Sequence, residues 1–154
     1  MGQTNHKSVN ISAPNLITIC VNGMEQGELQ GVFYHYYSEE PIAFYSILDL
    51  IRAMEKLFDD LVFPEASTRA RSFFEKETEM VYKRGRKEKN VLWENLLSHK
   101  GTLGTFITCV KFRQRSTWQG EFYWKEKEEK VFFLSGLEFI RLLYQAVEES
   151  GKAD

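Results

Sequence analysis

The hydrophobic and polar positions of this chain form two sets of three short strands, and each set is followed by a segment with helical spacing. The first strand of each set is rich in β-branched and aromatic residues, LITICV at 16–21 and TFITCVKF at 105–112, as expected for half-buried strands. The dipeptide Gln-Gly opens the second strand of both sets, and a glycine at a strand entry indicates a bulge or a close backbone approach. The predicted strands are 16–21, 31–37 and 42–45 in the first set, and 105–112, 120–125 and 131–134 in the second.

A serine begins each predicted helix. Ser46 precedes Asp49, and Ser135 precedes Glu138, by three residues. This is the spacing of a capping box, in which the serine side chain accepts a hydrogen bond from an N–H of the first turn. Apolar residues then recur every three or four positions, which predicts that they face the core: Leu48, Ile51, Met54 and Phe58 in one helix, and Leu137, Ile140, Leu143 and Val147 in the other.

The two sets repeat each other in sequence. Residues 16–60 align with residues 105–149 at a constant offset of 89 positions and without a gap. In the central part of the alignment, 30–52 against 119–141, 11 of 23 pairs are identical. About one or two identities would be expected by chance. The sequence therefore predicts an α+β fold made by tandem duplication of a β-β-β-α unit, with pseudo-twofold symmetry. The pattern is compatible both with one sheet of six strands and with two facing layers.

The length and the repeat predict a single compact domain over residues 1–154. The two repeats cover about 15–61 and 105–150, and a connector occupies 62–104. The connector has helical or mixed character over 65–82 and a short predicted helix at 91–97. Because it is rich in aromatic and aliphatic residues, we expect it to pack against the repeats rather than to be disordered.

Composition and charge restrict the classes of function. A net charge of −2 argues against a protein that binds polyanions over its whole surface. The chain has no apolar run long enough to span a membrane and no secretory signal, so a cytoplasmic protein without membrane contact is expected. Cys20 and Cys109 occupy equivalent repeat positions within apolar runs. Buried thiols are expected there, and a disulfide is the alternative.

The sequence contains no recognisable catalytic motif. His6, His35 and His99 are scattered and have no metal-ligand spacing. The acidic pairs 39–40 and 128–129 fall in predicted hairpin turns, where solvated carboxylates are expected. A non-catalytic protein that uses no cofactor and no metal is therefore the prediction, and the oligomeric state stays open.

The clearest difference between the repeats is a basic strand in the second. Strand alternation places Lys111, Arg113 and Arg115 on one face, where the first repeat has uncharged residues. Cations with neighbouring aromatic residues suit nucleic acid or a nucleoprotein complex. The other members of this candidate surface are Trp118, Trp124 and Lys125, assisted by a connector cluster that contains Lys83, Arg84, Arg86 and Lys87.

Three other interpretations of the same residues remain. Lysine and arginine on an exposed strand also keep a sheet edge soluble and unpaired. An aromatic-rich surface with little net charge would equally suit a protein-binding regulator or inhibitor, for example a small phage or mobile-element protein that docks on a host complex. A small ligand could instead bind between the repeats, in a cleft formed by Tyr34, His35 and Tyr123 with Trp124 nearby.

Three strands followed by a capped helix resemble the small βββα DNA-binding domains of plant transcription factors and of the arm-site domains of bacterial integrases. That resemblance implies a sheet laid in the major groove of DNA. It covers strand order and the capped helix alone, and no base-reading residue can be carried over to this sequence.

Overall fold

The computed structural model describes residues 9–64, 88–113 and 117–152. Within them the protein is α+β, with a six-stranded antiparallel sheet and three helices. The helices are unevenly placed, since the short one lies in the connector. In chain order the elements are β1 Ile17–Glu25, β2 Glu28–His35, β3 Ser38–Phe44, α1 Ile47–Leu61, α2 Trp93–Leu96, β4 Gly104–Phe112, β5 Gln119–Trp124, β6 Glu129–Phe133 and α3 Gly136–Lys152.

All six strands belong to one sheet, which decides between the two arrangements that the sequence allowed. The strand order is β3-β2-β1-β4-β5-β6, so β1 and β4 pair at the centre and β3 and β6 form the two edges. In the central pair Thr18 lies opposite Ile107, the residue 89 positions later. The acidic pair 39–40, expected in a turn, lies within β3 instead; of the second pair, Glu128 is in the turn and Glu129 begins β6.

A glycine is required at the same place in both halves of the sheet. A Cβ atom on Gly31 would lie 2.0 Å from the carbonyl oxygen of Cys20. A Cβ atom on Gly120 would lie 2.1 Å from the carbonyl oxygen of Cys109. Both distances are far inside van der Waals contact, so only glycine allows β2 and β5 to approach their neighbours this closely.

Both long helices begin at the predicted serines. The Ser46 hydroxyl accepts a hydrogen bond from the N–H of Asp49, and the Ser135 hydroxyl accepts one from the N–H of Glu138, each at 3.1 Å. The Asp49 carboxylate accepts a bond in return from the N–H of Tyr45 (3.1 Å), one residue before the cap. These bonds satisfy N–H groups that have no partner within the helix.

The prediction that Leu48 and Leu137 face the core is wrong. Their side chains are 53% and 65% exposed, whereas Leu50 and Phe139, two residues further along, are fully buried. Each residue turns the helix by about 100°, so residues two apart point to nearly opposite sides. The core-facing stripe of each helix therefore begins one turn after the serine cap.

The larger core lies between the helices and one face of the sheet, called here the helix side. Aromatic rings from both halves meet there, since the Phe58 ring of the first repeat lies 5.6 Å from the Trp118 ring of the second, centroid to centroid. Within the second repeat the centroids are 5.3 Å apart for Phe133 and Phe139 and 6.0 Å apart for Phe122 and Phe139. Such rings each bury a large apolar area and dominate the stability of a core this size. The same core includes Phe33, Phe44, Phe58 and Phe106.

A smaller core lies on the opposite face of the sheet, called here the open face. The N-terminal segment from residue 9 and helix α2 cover its centre. The Thr18 hydroxyl donates a hydrogen bond to the Leu96 carbonyl oxygen (2.7 Å), and the Tyr37 hydroxyl donates one to the carbonyl oxygen of Pro14 (2.8 Å). The described part of the connector thus packs on the sheet, as expected, while the prediction for 65–82 concerns residues outside the described ranges.

Candidate functional site

Arg113 was expected to face an anionic partner, but its side chain is an internal anchor. The guanidinium is 3% exposed, and Nη1 lies 2.8 Å from a Glu55 carboxylate oxygen and 2.9 Å from an Asp59 carboxylate oxygen, both on α1. Nε donates to the carbonyl oxygen of Pro64 (2.7 Å). These bonds join the end of β4 to α1 and leave little of the side chain for a ligand.

Lys111 and Arg113 do not share a face, contrary to the alternation expected from sequence. The pairing of β4 with β5 shifts between Val110 and Phe112, so Lys111 lies in a β-bulge. A bulge adds one residue to one strand and interrupts the alternation of side chains. Lys111 accordingly contacts Glu121 on the open face, whereas Arg113 points toward α1.

Both tryptophans of the candidate surface are buried. Trp118 is 3% exposed, packs against Phe58 and Phe139 with ring centroids 5.6 Å away, and donates its indole N–H to Glu55. Trp124 is also buried, next to Phe106. Their equivalents in the first repeat, Leu29 and His35, are buried as well. These positions are core positions in both halves, so the rings are not placed to stack on nucleic acid bases.

Lys125, the other described cation of the candidate surface, is also engaged within the protein. The Lys125 ammonium donates to the carbonyl oxygen of Leu97 (2.5 Å) and so fixes the connector to β5. Burial lowers the pKa of Lys125, with a further contribution from the charge of Lys100. The other predicted members, Arg115 and the connector cations Lys83, Arg84, Arg86 and Lys87, lie outside the described residues.

The predicted ligand cleft between the repeats is occupied by the protein itself. Tyr34 and Tyr123 lie in one row across the open face, with Thr18 and Ile107 of the central strands between them. Helix α2 sits over this row and contributes Leu96 to the smaller core. His35 instead packs beside Phe33 and Tyr37 and accepts the N–H of Tyr37 on Nδ1 (3.0 Å).

A small cavity remains beside Tyr34. The Tyr34 ring stacks on His99 with centroids 3.5 Å apart and planes within 3° of parallel. Burial, followed by the charge of Lys125, lowers the pKa of His99. The cavity has a volume of about 180 Å³ and is lined by Tyr34, Ser38, Glu39, Val91, Asn95, Ser98 and His99.

Cys20 and Cys109 are buried and free, as the sequence indicated. Burial raises the pKa of each thiol to about 11, which makes both poor nucleophiles at neutral pH. Among the described residues, no group of three or more His, Cys, Asp or Glu side chains could hold a metal ion. No helix in the described ranges is long and apolar enough to cross a membrane.

Large apolar side chains are exposed at the β6 edge of the sheet, in a region that sequence reasoning did not single out. Phe132 is 60% exposed and Leu134 is 65% exposed. Val131, which precedes Phe132 in β6, is 40% exposed. On β4, Phe112 is 54% exposed. We call these residues, with the charged cluster beside them, the β6-edge surface; its members are Lys111, Phe112, Glu121, Lys130, Val131, Phe132 and Leu134.

Two lysines share one carboxylate on this surface. Lys111 Nζ and Lys130 Nζ each lie 2.5 Å from a different oxygen of Glu121, which is nearly buried. Both ammonium groups also lie over the Phe132 ring, at 5.7 Å and 5.3 Å from its centroid. Burial alone would raise the pKa of Glu121, but the hydrogen bonds and charges of the two lysines lower it overall. The cluster therefore carries one excess positive charge next to an exposed aromatic ring.

The first repeat has none of this chemistry at the equivalent positions. Asn22, Val32, Pro41 and Ala43 stand where the second repeat has Lys111, Glu121, Lys130 and Phe132. The backbone of the first repeat forms the same strands without these side chains, so folding does not require them. The pairs Pro41/Lys130 and Ala43/Phe132 were visible in the sequence alignment and could have indicated this surface.

Comparison of the chain with protein-family models, with curated proteins and with solved structures gives no match.

Proposed function

We propose that this protein acts by binding another polypeptide through the β6-edge surface. The observation that carries the proposal is an edge strand with exposed apolar side chains at Val131 and Phe132. Phe132 is exposed on the open face and Val131 on the helix side, so a segment that pairs with this edge could cover both. Charged residues around an aromatic centre are also typical of a binding surface.

The contrast with the other edge strand supports this proposal. β3 contains Pro41, which lacks an N–H, and the exposed acids Glu39 and Glu40. Proline and charge are two common means of preventing an edge strand from pairing with another chain. β6 also begins with exposed charged residues, Glu129 and Lys130, but it has no proline, and its exposed centre is Val131-Phe132. Pro41 therefore interrupts the hydrogen-bonding edge of β3, whereas every residue of β6 has an N–H.

A catalytic role is not part of the proposal. The described thiols are buried with raised pKa values, and the described histidines are engaged in packing or hydrogen bonds. Nucleic acid is the second candidate partner, because Lys111 and Lys130 give the surface one excess positive charge beside an aromatic ring. It is less favoured because Arg113 and Lys125 bind within the protein.

We also infer that the chain arose by tandem duplication of a β-β-β-α unit. The gapless alignment, the central pairing of Thr18 with its equivalent Ile107, and the glycines at Gly31 and Gly120 all support this origin. On this view the β6-edge surface is a later specialisation of the second unit. The cytoplasmic location expected from sequence stays a proposal.

The function is tested by affinity capture of proteins from the source cells, with the wild type and two variants as bait. Phe132→Asp should lose a specific polypeptide that the wild type retains. Ala43→Asp, the same change at the equivalent exposed position of β3, is the matched control and should retain it. Because Phe132 is 60% exposed, its substitution should alter the free energy of unfolding by only about 0.5 kcal/mol.

Binding of the captured polypeptide, once purified, should weaken by about tenfold or more with Phe132→Asp. Equal capture by all three baits would contradict the proposal. Retardation of a DNA or RNA probe that falls steeply with salt and depends on Lys111 and Lys130 would favour the nucleic acid alternative instead.

A further inference from the structure

We propose that the partner contributes an extended segment that adds to β6 as a seventh strand of the sheet. The segment would carry both acidic and apolar side chains on the open face and apolar side chains on the helix side. This inference rests on the proposed protein-binding function and specifies how the β6-edge surface would be used. Adding a peptide strand to an exposed sheet edge is a common mode of recognition. In that mode main-chain hydrogen bonds supply affinity, and alternate side chains supply specificity.

The backbone of β6 is available for such pairing. β6 pairs with β5 from Glu129 opposite Trp124 to Phe133 opposite Gly120, with no shift of register. Its other side ends the sheet, so in the described part of the chain no further strand pairs with it. Alternate residues of an antiparallel edge strand present both N–H and C=O outward. The five residues of β6 can therefore hydrogen-bond a short extended segment.

The charges on the open face determine which side chains the added strand should carry. Lys130 and Phe132 are two residues apart and share that face, where Lys111 and Glu121 complete the cluster. Two ammonium groups bind one carboxylate, so one positive charge is not neutralised within the cluster. A carboxylate opposite Lys130 would supply the missing charge, and an apolar side chain opposite Phe132 would cover its exposed ring.

The helix side of β6 adds a second requirement. Val131 lies opposite Phe122, a core residue, and so points to the helix side, where it is 40% exposed. An apolar residue of the added strand would cover Val131. The partner segment is therefore expected to have acidic and apolar side chains alternating on the open face, separated by apolar residues on the helix side.

A second copy of this chain satisfies these conditions poorly. In an antiparallel pair of β6 strands centred on Val131, each Lys130 would oppose Phe132 of the other copy rather than a carboxylate. Residues that lie opposite each other in such a pair must share a face, so Lys130 could meet a carboxylate of the other copy only at Glu128, in the turn before β6, and Phe132 would then lie opposite Glu126. β3 of another copy has acidic and apolar residues, but Pro41 interrupts its hydrogen-bonding edge. A different polypeptide is thus the better occupant.

The test uses the full chain and a small set of capped, fluorescein-labelled peptides in which valine alternates with glutamate or leucine. Matched peptides carry lysine in place of glutamate. Fluorescence anisotropy should show saturable binding of a glutamate peptide and weaker binding of its lysine counterpart. The variant Lys130→Glu should reverse that preference, by about five- to tenfold for each peptide, because a cross-strand attraction becomes a repulsion.

Backbone pairing is tested by N-methylation of the best peptide, one residue at a time. If the peptide adds as a strand, methylation at alternate residues should abolish binding, because those N–H groups point to β6, while methylation of the residues between them should have little effect. Equal binding of glutamate and lysine peptides, insensitivity to N-methylation, or no saturable binding by any peptide of the set would overturn the inference.

The two proposals can fail separately. If the peptides do not bind but capture of a cellular polypeptide still depends on Phe132, the protein-binding function stands and strand addition is wrong. If sedimentation of the purified chain alone shows a dimer that Phe132→Asp dissociates and Ala43→Asp does not, a second copy is the occupant and the inference is overturned. Circular dichroism of each variant confirms that the comparison is made between folded proteins.

Discussion

The two edges of the sheet hold equivalent places but differ in length and in surface, since β3 has 7 residues and β6 has 5. β3 and β6 occupy equivalent places at the two ends of the sheet, and each is followed by a serine-capped helix. Both strands carry an equivalent exposed acid, Glu40 and Glu129, but β3 continues with Pro41, whereas β6 continues with Lys130 and presents Phe132 beside a shared carboxylate. Both sequences form an edge strand of the same sheet, so strand formation alone does not account for the residues that differ between them.

The open face is covered at its centre and bare at the β6 edge. The N-terminal segment and α2 bury residues of both halves at the centre, Leu16 and Tyr36 of the first and Ile107 and Tyr123 of the second. At the β6 edge, within the described ranges, Phe132 stays exposed. The cover that the protein itself supplies therefore ends before the β6-edge surface.

The largest expected effect tests whether the two halves share one packing requirement. Gly31→Ala and Gly120→Ala should each lower the free energy of unfolding by about 3 kcal/mol, because the new Cβ would overlap a β1 or β4 carbonyl oxygen and the backbone would have to move. Denaturant unfolding measures both. Gly136→Ala is the control, since its Cβ meets nothing within 4 Å, and it should be neutral or slightly stabilising. A tolerated Gly120→Ala with a damaging Gly31→Ala would break the equivalence of the halves.

A smaller expected loss of stability distinguishes Arg113, the buried cation of the second repeat, from Lys111, its more exposed cation. Arg113→Met, which installs the equivalent residue Met24, should cost about 2 kcal/mol, because Glu55 and the Pro64 carbonyl lose a buried donor. Lys111→Asn, which installs the equivalent residue Asn22, should cost less than half as much, because Lys111 is 41% exposed and Lys130 still pairs with Glu121.

Chemical denaturation of both variants gives the comparison directly. Equal losses of stability would mean that the two cations have equivalent roles, which would argue against a surface function for Lys111. If Arg113→Met lost partner binding at unchanged stability, the result would support the basic binding surface that the sequence predicted, with Arg113 as a member.

The smallest effect is a pH dependence specific to the β6-edge surface. The pKa of Glu121 is lowered in the folded state, so its ion pairs stabilise the protein above the ordinary pKa of 4.5, and this contribution is lost as the pH falls through the folded value. The pKa of Lys111 is raised by its hydrogen bond to Glu121, so the same pair is lost again as the pH rises through the raised lysine value.

Glu121→Gln should therefore flatten both ends of the profile of unfolding free energy against pH relative to wild type. Thermal or urea unfolding across the acid and alkaline ranges measures this. A variant profile parallel to that of the wild type would show that the cluster is not formed in solution. Val32, at the equivalent position of the first repeat, has no ionisable side chain, so this position gives the first repeat no pH dependence of this kind.

Much of the fold could be predicted from sequence because its signals are local. β-Branched and aromatic runs marked the strands, and Ser46 and Ser135 marked the helix starts. The Gln-Gly pairs marked close backbone approaches. Strand and helix ends were displaced by a few residues, as at β3, which begins at Ser38 rather than Ile42, because hydrogen bonding to β2 extends the strand through its acidic residues.

The candidate site was predicted poorly for a physical reason. Alternation placed Lys111 and Arg113 on one face, but a bulge of one residue separated them. Composition marked Trp118 and Trp124 as available aromatic rings, but burial depends on what packs above a strand, and here that is α1 and α3. Phe132, the exposed aromatic residue of the β6-edge surface, lies in a strand whose apolar sequence is typical of a buried strand.

The sequence by itself determined the repeat, the order of strands and helices, the caps, the required glycines and the buried thiols, because each depends on residues close in the chain or on the comparison of two copies. Tertiary structure decided that six strands form one sheet, that α2 fills the space between Tyr34 and Tyr123, and which cations are neutralised within the protein. Those outcomes depend on contacts such as Arg113 with Glu55 and Lys111 with Glu121, between residues that pair only after the chain has folded.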